Sequence, residues 1–354
     1  MSMGERLKMA RVRAGLSLRT LAERVEVSPM AISKYERGVA VPGSAVLVKV
    51  AKALGVKPDY FFRPTKVALT PPSYRKKKSL RVKSERMILG EVQDWLERYM
   101  ELESILFEKP SAFQMPESSK RTLSSISEVE SVAESLRQEW GLGDGPIENL
   151  SEVLEEHGLK VGLVGGHEAF DALTLWFDHE GPVIAIRRDL PGDRHRFNLA
   201  HELGHIVLKK EGPADPEKAA HRFAGAFLVP ARAARQELGL NRRRLDLYEL
   251  HLLKHKYGMS MQAWIYRAKD LGIINEYVAI NLFRSFRQRG WYQQEPGDPL
   301  PGEEPGRMKR LVMHALAEDL ISRSRAAELL GMPLADFWEK EAARHGGFPQ
   351  TLHS

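Results

Sequence analysis

Hydrophobic residues recur at the spacing of amphipathic helices along the first sixty or so residues of the chain. Ser17 is placed to cap one helix, and Ser28 with Pro29 is placed to begin the next. Gly38 and Gly55 stand where helices of this length would end. The pattern predicts four short helices joined by tight turns, which is the arrangement of a helix-turn-helix bundle.

The remainder of the chain alternates between helical and strand-like patterns. A long amphipathic run, ERMILGEVQDWLERYMELESILF, follows a basic stretch that contains prolines. Further along, KVGLV, ALTLWF and PVIAIR are typical of strands, and helical patterns flank them. We therefore predict a mainly α-helical fold with one α+β domain. The expected divisions are a helix-turn-helix domain (1–63), a basic linker with a long amphipathic helix (64–127), the α+β domain (128–275) and a helical C-terminal region (276–354).

Charge is divided unevenly along the chain. Residues 1–83 contain 19 Lys/Arg and 5 Asp/Glu, a net charge of +14, and the rest of the chain carries −8. A basic head on an acidic body indicates that the head binds a polyanion. The chain has no cysteine, so a bound metal would need His, Asp or Glu ligands. No apolar run reaches the roughly 18 residues that span a membrane, and the N-terminus has no apolar signal segment, so we expect a cytoplasmic protein.

The stretch LSLRTLAERVEVSPMAISKYERG resembles the XRE, or lambda-repressor-like, helix-turn-helix family, and the resemblance covers residues 4–63. It implies that residues 28–37 form a recognition helix that enters the major groove of double-stranded DNA. One departure is Leu18, which stands where the family usually has Gln. The alternative is a small bundle that docks a protein. The side chains expected to face DNA are Arg19, Ser28, Pro29, Met30, Ser33, Lys34 and Arg37.

The segment AHELGHIVL carries the strongest chemical signal. His201 and His205 are four residues apart, so on a helix both imidazoles share one face and can reach one ion. Glu202 stands where H-E-x-x-H enzymes have their general base. The helix is apolar nearly all round and should be buried, where polar side chains need partners or a metal. Gly204 indicates close packing at this point. The alternative is two histidines satisfied by hydrogen bonds in the core.

A third ligand is expected on the next helix, which Asp215 should cap. Glu217 lies in its first turn and His221 one turn later on the same stripe, and Glu211 precedes the helix. Metzincins have a third histidine at a fixed spacing after the H-E-x-x-H motif, and this chain has Glu211 at that position. These residues leave the third ligand open among the three.

The segments RFNLAHELGHIVL and EKAAHRFAGAFLVP together resemble the ImmA/IrrE family of zinc metallopeptidases, and the resemblance reaches about residue 275. It implies a zincin-like α+β domain in which His201, His205 and Glu217 bind Zn²⁺ and Glu202 is catalytic. His221 stands where the family usually has Asn. The strand PVIAIR is expected to align an extended substrate by strand addition.

Together the two resemblances imply a bacterial or phage DNA-binding regulator, nucleoid-associated, that carries a zinc endopeptidase. A repressor-like protein in a stress, phage or toxin–antitoxin circuit is the implied substrate, and XRE domains usually act on two-fold sites, which favours a homodimer. One alternative is a transcription factor whose peptidase-like domain only senses a metal, peptide or ligand. Another is an antitoxin-type autorepressor with a toxin as its partner.

Overall fold

The chain divides into two compact units. The first combines Met1–Ser111 with Gly306–Ser354, and the second is Ala112–Pro305. The fold was obtained as a computed structural model, and the basic cluster of the linker and Glu211 lie outside the residues that it describes. The described residues are 2–62, 69–70, 82–107, 112–120, 123, 125–165, 170–177, 181–208, 215–292 and 294–345.

The first unit begins with the bundle that the sequence predicts. The side chains of Ser17 and Ser28 accept hydrogen bonds from the backbone N–H groups of Thr20 and Ala31, so both caps are confirmed. Gly55 ends the fourth helix with φ +66°. The elements are α1 (Met3–Arg13), α2 (Leu18–Val25), α3 (Pro29–Glu36), α4 (Ser44–Leu54), a 3₁₀ helix (Pro58–Phe62), a two-residue strand β1 (Leu69–Thr70) and α5 (Val82–Leu106).

This bundle is stabilised by buried ion pairs in addition to its apolar core. Arg11 on α1 donates two hydrogen bonds to the Glu36 carboxylate on α3, at 2.5 and 2.9 Å, and both side chains are largely buried. Arg6, whose side chain is 1% exposed, pairs with Glu97 of α5 at 2.9 Å. Helix α1 is therefore fixed on one side to the end of α3 and on another to α5.

The second unit consists of helices around a small sheet. Its elements are 3₁₀ turns (Glu117–Lys120 and Ile126–Glu128), α6 (Val129–Glu139), α7 (Leu150–Glu156), β2 (Lys160–Val164), β3 (Ala172–Phe177), β4 (Gly181–Arg187), α8 (Gly192–Val207), α9 (Pro216–Leu228), α10 (Ala231–Leu238), α11 (Leu247–Tyr257), α12 (Met261–Asp270) and α13 (Glu276–Gln288). A mainly helical chain with one α+β domain is thus confirmed.

Within this sheet β4 lies between β3 and β2. It pairs in parallel with β2, with Val161 opposite Ile184, and antiparallel with β3, with Thr174 also opposite Ile184. The prediction that β4, the PVIAIR strand, aligns a substrate by strand addition is therefore wrong. Both of its edges already make ladder hydrogen bonds, so it has none left to offer an added strand.

The core of this unit lies between the sheet and the helices that precede and follow it in the chain. Apolar side chains of β4, α8, α9 and α12 form one buried cluster, which includes Ile184, Leu203, Phe223, Phe227 and Trp264. Helix α8 is buried over most of its surface, as its composition predicts. The histidine segment is thus part of the core of the unit rather than a surface helix.

The chain then returns to the first unit. Three C-terminal helices, α14 (Arg307–Ala317), α15 (Arg323–Leu329) and α16 (Leu334–His345), follow, and Leu311 and Val312 bury against Tyr99 and Leu102 of α5. Arg98 of α5 donates a hydrogen bond of 2.6 Å to the carbonyl of Leu329. Over the ranges described above, no helix combines the length and apolar character that crossing a membrane requires.

Candidate functional site

Close packing of α8 on α9 assembles the histidine site. A Cβ added at Gly204 would lie 3.1 Å from Cδ1 of Phe223 and 3.2 Å from Cα of Ala220. Glycine therefore lets the two helices approach here more closely than any other residue would. Asp215 caps α9 and accepts from the backbone N–H of Glu217, as predicted, so the first turn of α9 stands beside the histidines of α8.

Three of the predicted site residues converge. Nε2 of His201 lies 3.1 Å from Nε2 of His205, and the Glu217 carboxylate oxygens lie 3.5 and 3.6 Å from these two nitrogens. One ligand atom from each residue falls within 4.8 Å of the others, and no other group of three such residues does so among the residues described. Sequence spacing alone could not choose Glu217 over His221, and this geometry favours Glu217.

The separations fit a single tetrahedral ion. Two ligands bound to zinc at about 2.0–2.1 Å with tetrahedral angles are roughly 3.3 Å apart. The two imidazole nitrogens are 3.1 Å apart, and each has a different oxygen of the Glu217 carboxylate at 3.5 or 3.6 Å. Two imidazole nitrogens and one carboxylate oxygen also form a donor set that zinc accepts, with a fourth position left for water or substrate. The residues present therefore fit the metal that the sequence analysis predicts.

Burial and neighbouring groups set the charge states of the site. Both histidine side chains are 12% exposed and Glu217 is 40% exposed. Burial, with a smaller effect of His201, lowers the pKa of the His205 imidazole to about 4. The hydrogen bond with His201 lowers the pKa of the Glu217 carboxyl to about 2, against the opposing effect of burial. At neutral pH His205 is neutral and Glu217 is ionised, which are the forms that bind metal ions.

Glu202 has a partner that the sequence analysis missed. The hydroxyl of Thr174 on β3 donates a hydrogen bond of 2.7 Å to Oε2 of Glu202. Side chains alternate along a strand, so Trp176 lies on the same face of β3 as Thr174, and its ring is partly exposed. No sequence signal could link either residue to α8, because the link depends on how the sheet packs.

His221 lies at the rim of this site. Its ring centroid is 4.5 Å from that of His201 and 5.8 Å from that of Phe197, and the residue is exposed. It does not belong to the group of three whose ligand atoms converge. The geometry therefore places His221 beside the candidate ligands rather than among them.

The predicted DNA contacts lie on the first unit. Met30, Lys34 and Arg37 fall on the face of α3 opposite its buried residues Ile32 and Glu36, whereas Pro29 and Ser33 lie at the flanks of that face. Met30 is 61% exposed, and Lys34 and Arg37 are also exposed, whereas Ser33 is partly buried. This side of α3 faces solvent, as a helix that enters a DNA groove must.

Two further residues that were predicted to contact DNA form interactions within the bundle. The hydroxyl oxygen of Ser28 accepts from the backbone N–H of Ala31 as the cap of α3. Arg19 on α2 is exposed and pairs with Glu23 at 2.9 Å. Glu36, in the YERG segment, has a role that helical periodicity does not reveal. Its pairing with Arg11 fixes the end of α3 against α1.

Comparisons with known proteins match the two regions separately. Residues 7–61 match the helix-turn-helix family model, and residues 155–269 match the model of the IrrE N-terminal-like domain of the M78 peptidases. The second match contains His201, His205, Glu202 and Glu217.

Two curated relatives match segments of about sixty residues. An uncharacterized HTH-type transcriptional regulator of Sinorhizobium fredii is 39% identical over 62 residues, which is 18% of this chain and 43% of that protein. An uncharacterized transcriptional regulator in the ATPase CF(0) region of Rhodospirillum rubrum is 44% identical over 59 residues, 17% of this chain and 55% of that protein. The chain thus spans about half the length of these relatives. Its N-terminal region is thus similar to XRE-type helix-turn-helix domains, and residues 155–269 are similar to the peptidase-like domain of the IrrE/ImmA type.

Proposed function

We propose that this protein is a DNA-binding transcriptional regulator that carries a zinc-dependent endopeptidase domain. The observation that carries the peptidase half is the convergence of His201, His205 and Glu217 beside Glu202. The helix-turn-helix match and the exposed face of α3 support the DNA-binding half.

Zn²⁺ held by His201, His205 and Glu217 would polarise a peptide carbonyl and lower the pKa of a water molecule towards 7. The three residues would supply two neutral nitrogens and one negative charge. Their separations match those of tetrahedral ligands, so binding requires little rearrangement of α8 and α9.

Glu202 acts as the general base in this proposal. Its carboxylate takes a proton from the attacking water, whose oxygen bonds to the peptide carbon. Glu202 then delivers that proton to the amide nitrogen as the C–N bond breaks, which leaves a new carboxylic acid and a new amine, and the acid passes its remaining proton to the amine or to solvent. The hydrogen bond from Thr174 to Oε2 holds the carboxylate in one orientation while these transfers occur.

Because β4 is excluded, we propose that a peptide substrate lies along strand β3. Thr174 connects this strand to Glu202, so the strand runs beside the proposed general base. The partly exposed ring of Trp176 on the same face would contact an apolar side chain of the substrate. A repressor-like protein with an accessible extended segment is the substrate class that we propose.

DNA binding is assigned to α3. Lys34 and Arg37 are long, exposed cations on its outward face, suited to base edges or phosphates. Because domains of this type usually bind two-fold sites, we propose that the protein acts on DNA as a homodimer.

A second function, sensing without cleavage, is favoured by His221. An added imidazole at the rim, 4.5 Å from the ring of His201, gives the site an extra group that can bind a ligand. In that case the domain would bind a metal or peptide and change DNA affinity while cutting nothing.

Cleavage of a peptide library separates these two functions. The zinc-loaded protein is incubated with proteome-derived peptides, and new N-termini are identified by mass spectrometry. The matched variants are Glu202→Gln and Glu134→Gln, the latter an exposed glutamate of α6. The proposed peptidase predicts new termini with wild type and Glu134→Gln, and a loss of at least about 100-fold with Glu202→Gln. Metal binding without any new termini would leave the sensing function.

A further inference from the structure

Charge is segregated inside the second unit. Residues 231–292, which contain α10 to α13, hold 12 Lys/Arg and 5 Asp/Glu, a net charge of +7. The other residues of Ala112–Pro305 hold 12 Lys/Arg and 24 Asp/Glu, a net charge of −12. A domain that is acidic overall therefore has one strongly basic region, which is the usual footprint of a polyanion site.

Within the described ranges, about half of the Lys and Arg residues in this basic region form no ion pair with a carboxylate. Arg222, Arg242 and Arg267 in the same unit are each paired with a glutamate. By contrast, Arg284 and Arg287 of α13 are exposed and form no ion pair with any residue in the described ranges. Paired arginines serve the fold, so unpaired ones are available to a partner.

The unpaired arginines of α13 share one stripe. Tyr277, Ile280, Arg284 and Arg287 follow one another at intervals of three and four residues, so they lie along one face of the helix. All four are exposed, Tyr277 by 73%. The stripe presents a hydroxyl donor and two guanidinium groups over about ten residues of helix, or roughly 15 Å.

A neighbouring loop adds two more cations near the start of this stripe. The backbone N–H of Arg242 donates to the carbonyl of Ile273 at 2.7 Å, which fixes the loop beside the residues that lead into α13. Arg243 and Arg244 follow on that loop, and both are exposed and unpaired with any described residue. The cationic surface is therefore built from two separate segments of the chain.

We propose that this surface, the α13 stripe with Arg243 and Arg244, binds the phosphate backbone of duplex DNA. The inference rests on the proposed DNA-binding function, since the helix-turn-helix domain would bring duplex DNA to the protein. Guanidinium groups and a tyrosine hydroxyl donate hydrogen bonds to phosphate oxygens and read no base sequence. The peptidase-like domain then contributes affinity without specificity.

The salt dependence of DNA binding tests this assignment. The probe is a duplex of about 30 base pairs and random sequence, three helical turns long, bound by the full chain across a range of salt concentrations. Each phosphate contact contributes about 0.9 to the slope of log K against log salt. We expect Arg284→Gln/Arg287→Gln to lower the slope by about 2. Arg243→Gln/Arg244→Gln should lower it by a similar amount.

The control removes the same charge elsewhere. Arg188→Gln/Lys309→Gln deletes two exposed cations outside this surface and should leave the slope near that of wild type. Equal slopes for the surface variants and the wild type would overturn the proposal and point to an acidic protein as the partner. A reduction as large in the control would also overturn it, because the effect would then be one of net charge alone.

A fourth variant separates this inference from the function on which it rests. Lys34→Ala/Arg37→Ala tests α3 with the same probe. If this variant loses affinity while the α13 variants match wild type, only the inference about the second unit fails. If it binds as wild type does and the α13 variants lose slope, the assignment of DNA binding to α3 fails and the surface on the second unit stands.

Discussion

The helix-turn-helix bundle and the α8–α9 pair use polar side chains in opposite ways. In the bundle, the charged residues that are buried fix the fold, as Arg11 and Glu36 do, and the proposed DNA contacts lie outside on α3. In the α8–α9 pair, the proposed functional side chains are themselves the polar groups that packing brings together. Substitutions that disturb packing should therefore lower the stability of the bundle, whereas in the α8–α9 pair they should directly reduce the function of the histidine site.

The largest effect is expected from breaking the buried pair of the bundle. Arg11→Met leaves the Glu36 carboxylate buried without its guanidinium partner, which should lower the free energy of unfolding by about 3–5 kcal/mol. The control is Glu23→Gln, which breaks the exposed pair with Arg19 and should cost about 0–1 kcal/mol. Urea unfolding of the full chain measures both. Similar losses in the two variants would show that burial does not set the strength of this pair.

Removing the exposed cations of α3 should change DNA binding and leave stability alone. Lys34→Ala/Arg37→Ala should weaken binding to a sequence selected by the wild type by about 2–4 kcal/mol, because each lost contact is worth about 1–2 kcal/mol. The free energy of unfolding, measured by thermal denaturation, should stay within about 0.5 kcal/mol of the wild-type value for these surface changes. A large loss of stability with unchanged DNA affinity would reverse the roles assigned to the inside and outside of the bundle.

Two glycines of the second unit test the link between packing and function. Gly204→Ala places a Cβ 3.1–3.2 Å from Phe223 and Ala220, so α8 and α9 must separate. We expect a loss of about 1–3 kcal/mol in stability and a weaker affinity for zinc. Gly225→Ala on α9 would meet only the Cδ atom of Arg267, at 3.6 Å, and should gain up to about 1 kcal/mol from helix propensity. Unchanged zinc affinity in Gly204→Ala would show that close packing of α8 on α9 does not determine metal binding.

The smallest effect concerns the orientation of Glu202. Thr174→Val keeps the shape of the side chain but removes the hydroxyl that donates to Oε2. If this hydrogen bond contributes about 1 kcal/mol, kcat for a cleaved peptide should fall about fivefold with KM unchanged. Thr174→Ser restores the donor and should recover most of the rate. No recovery with serine would mean that Thr174 acts through packing instead.

Local signals in the sequence predict the elements of this site well. Asp215 and Glu217 identify the start of α9, and the spacing of His201 and His205 places both imidazoles on one face, because capping and helical periodicity depend on residues close in the chain. The bundle is confirmed for the same reason, down to the caps Ser17 and Ser28.

Contacts between distant segments could not be predicted in this way. The central place of β4 and the hydrogen bond from Thr174 to Glu202 depend on the order of strands in the sheet, which periodicity does not determine. The pairing of Arg98 with the carbonyl of Leu329 joins residues more than two hundred positions apart. Hydrophobic patterns show that such segments are buried but not which partners bury them.

The central claim is that His201, His205 and Glu217 form one metal site, and zinc content tests it most directly. We predict one tightly bound zinc per chain in the wild type, a loss in His201→Ala and Glu217→Ala, and retention in His221→Ala and Glu211→Ala. The measurement is elemental analysis of each folded variant after dialysis against excess metal and then buffer. A wild-type protein without zinc, or a Glu217→Ala variant that keeps zinc while His221→Ala loses it, would contradict the account.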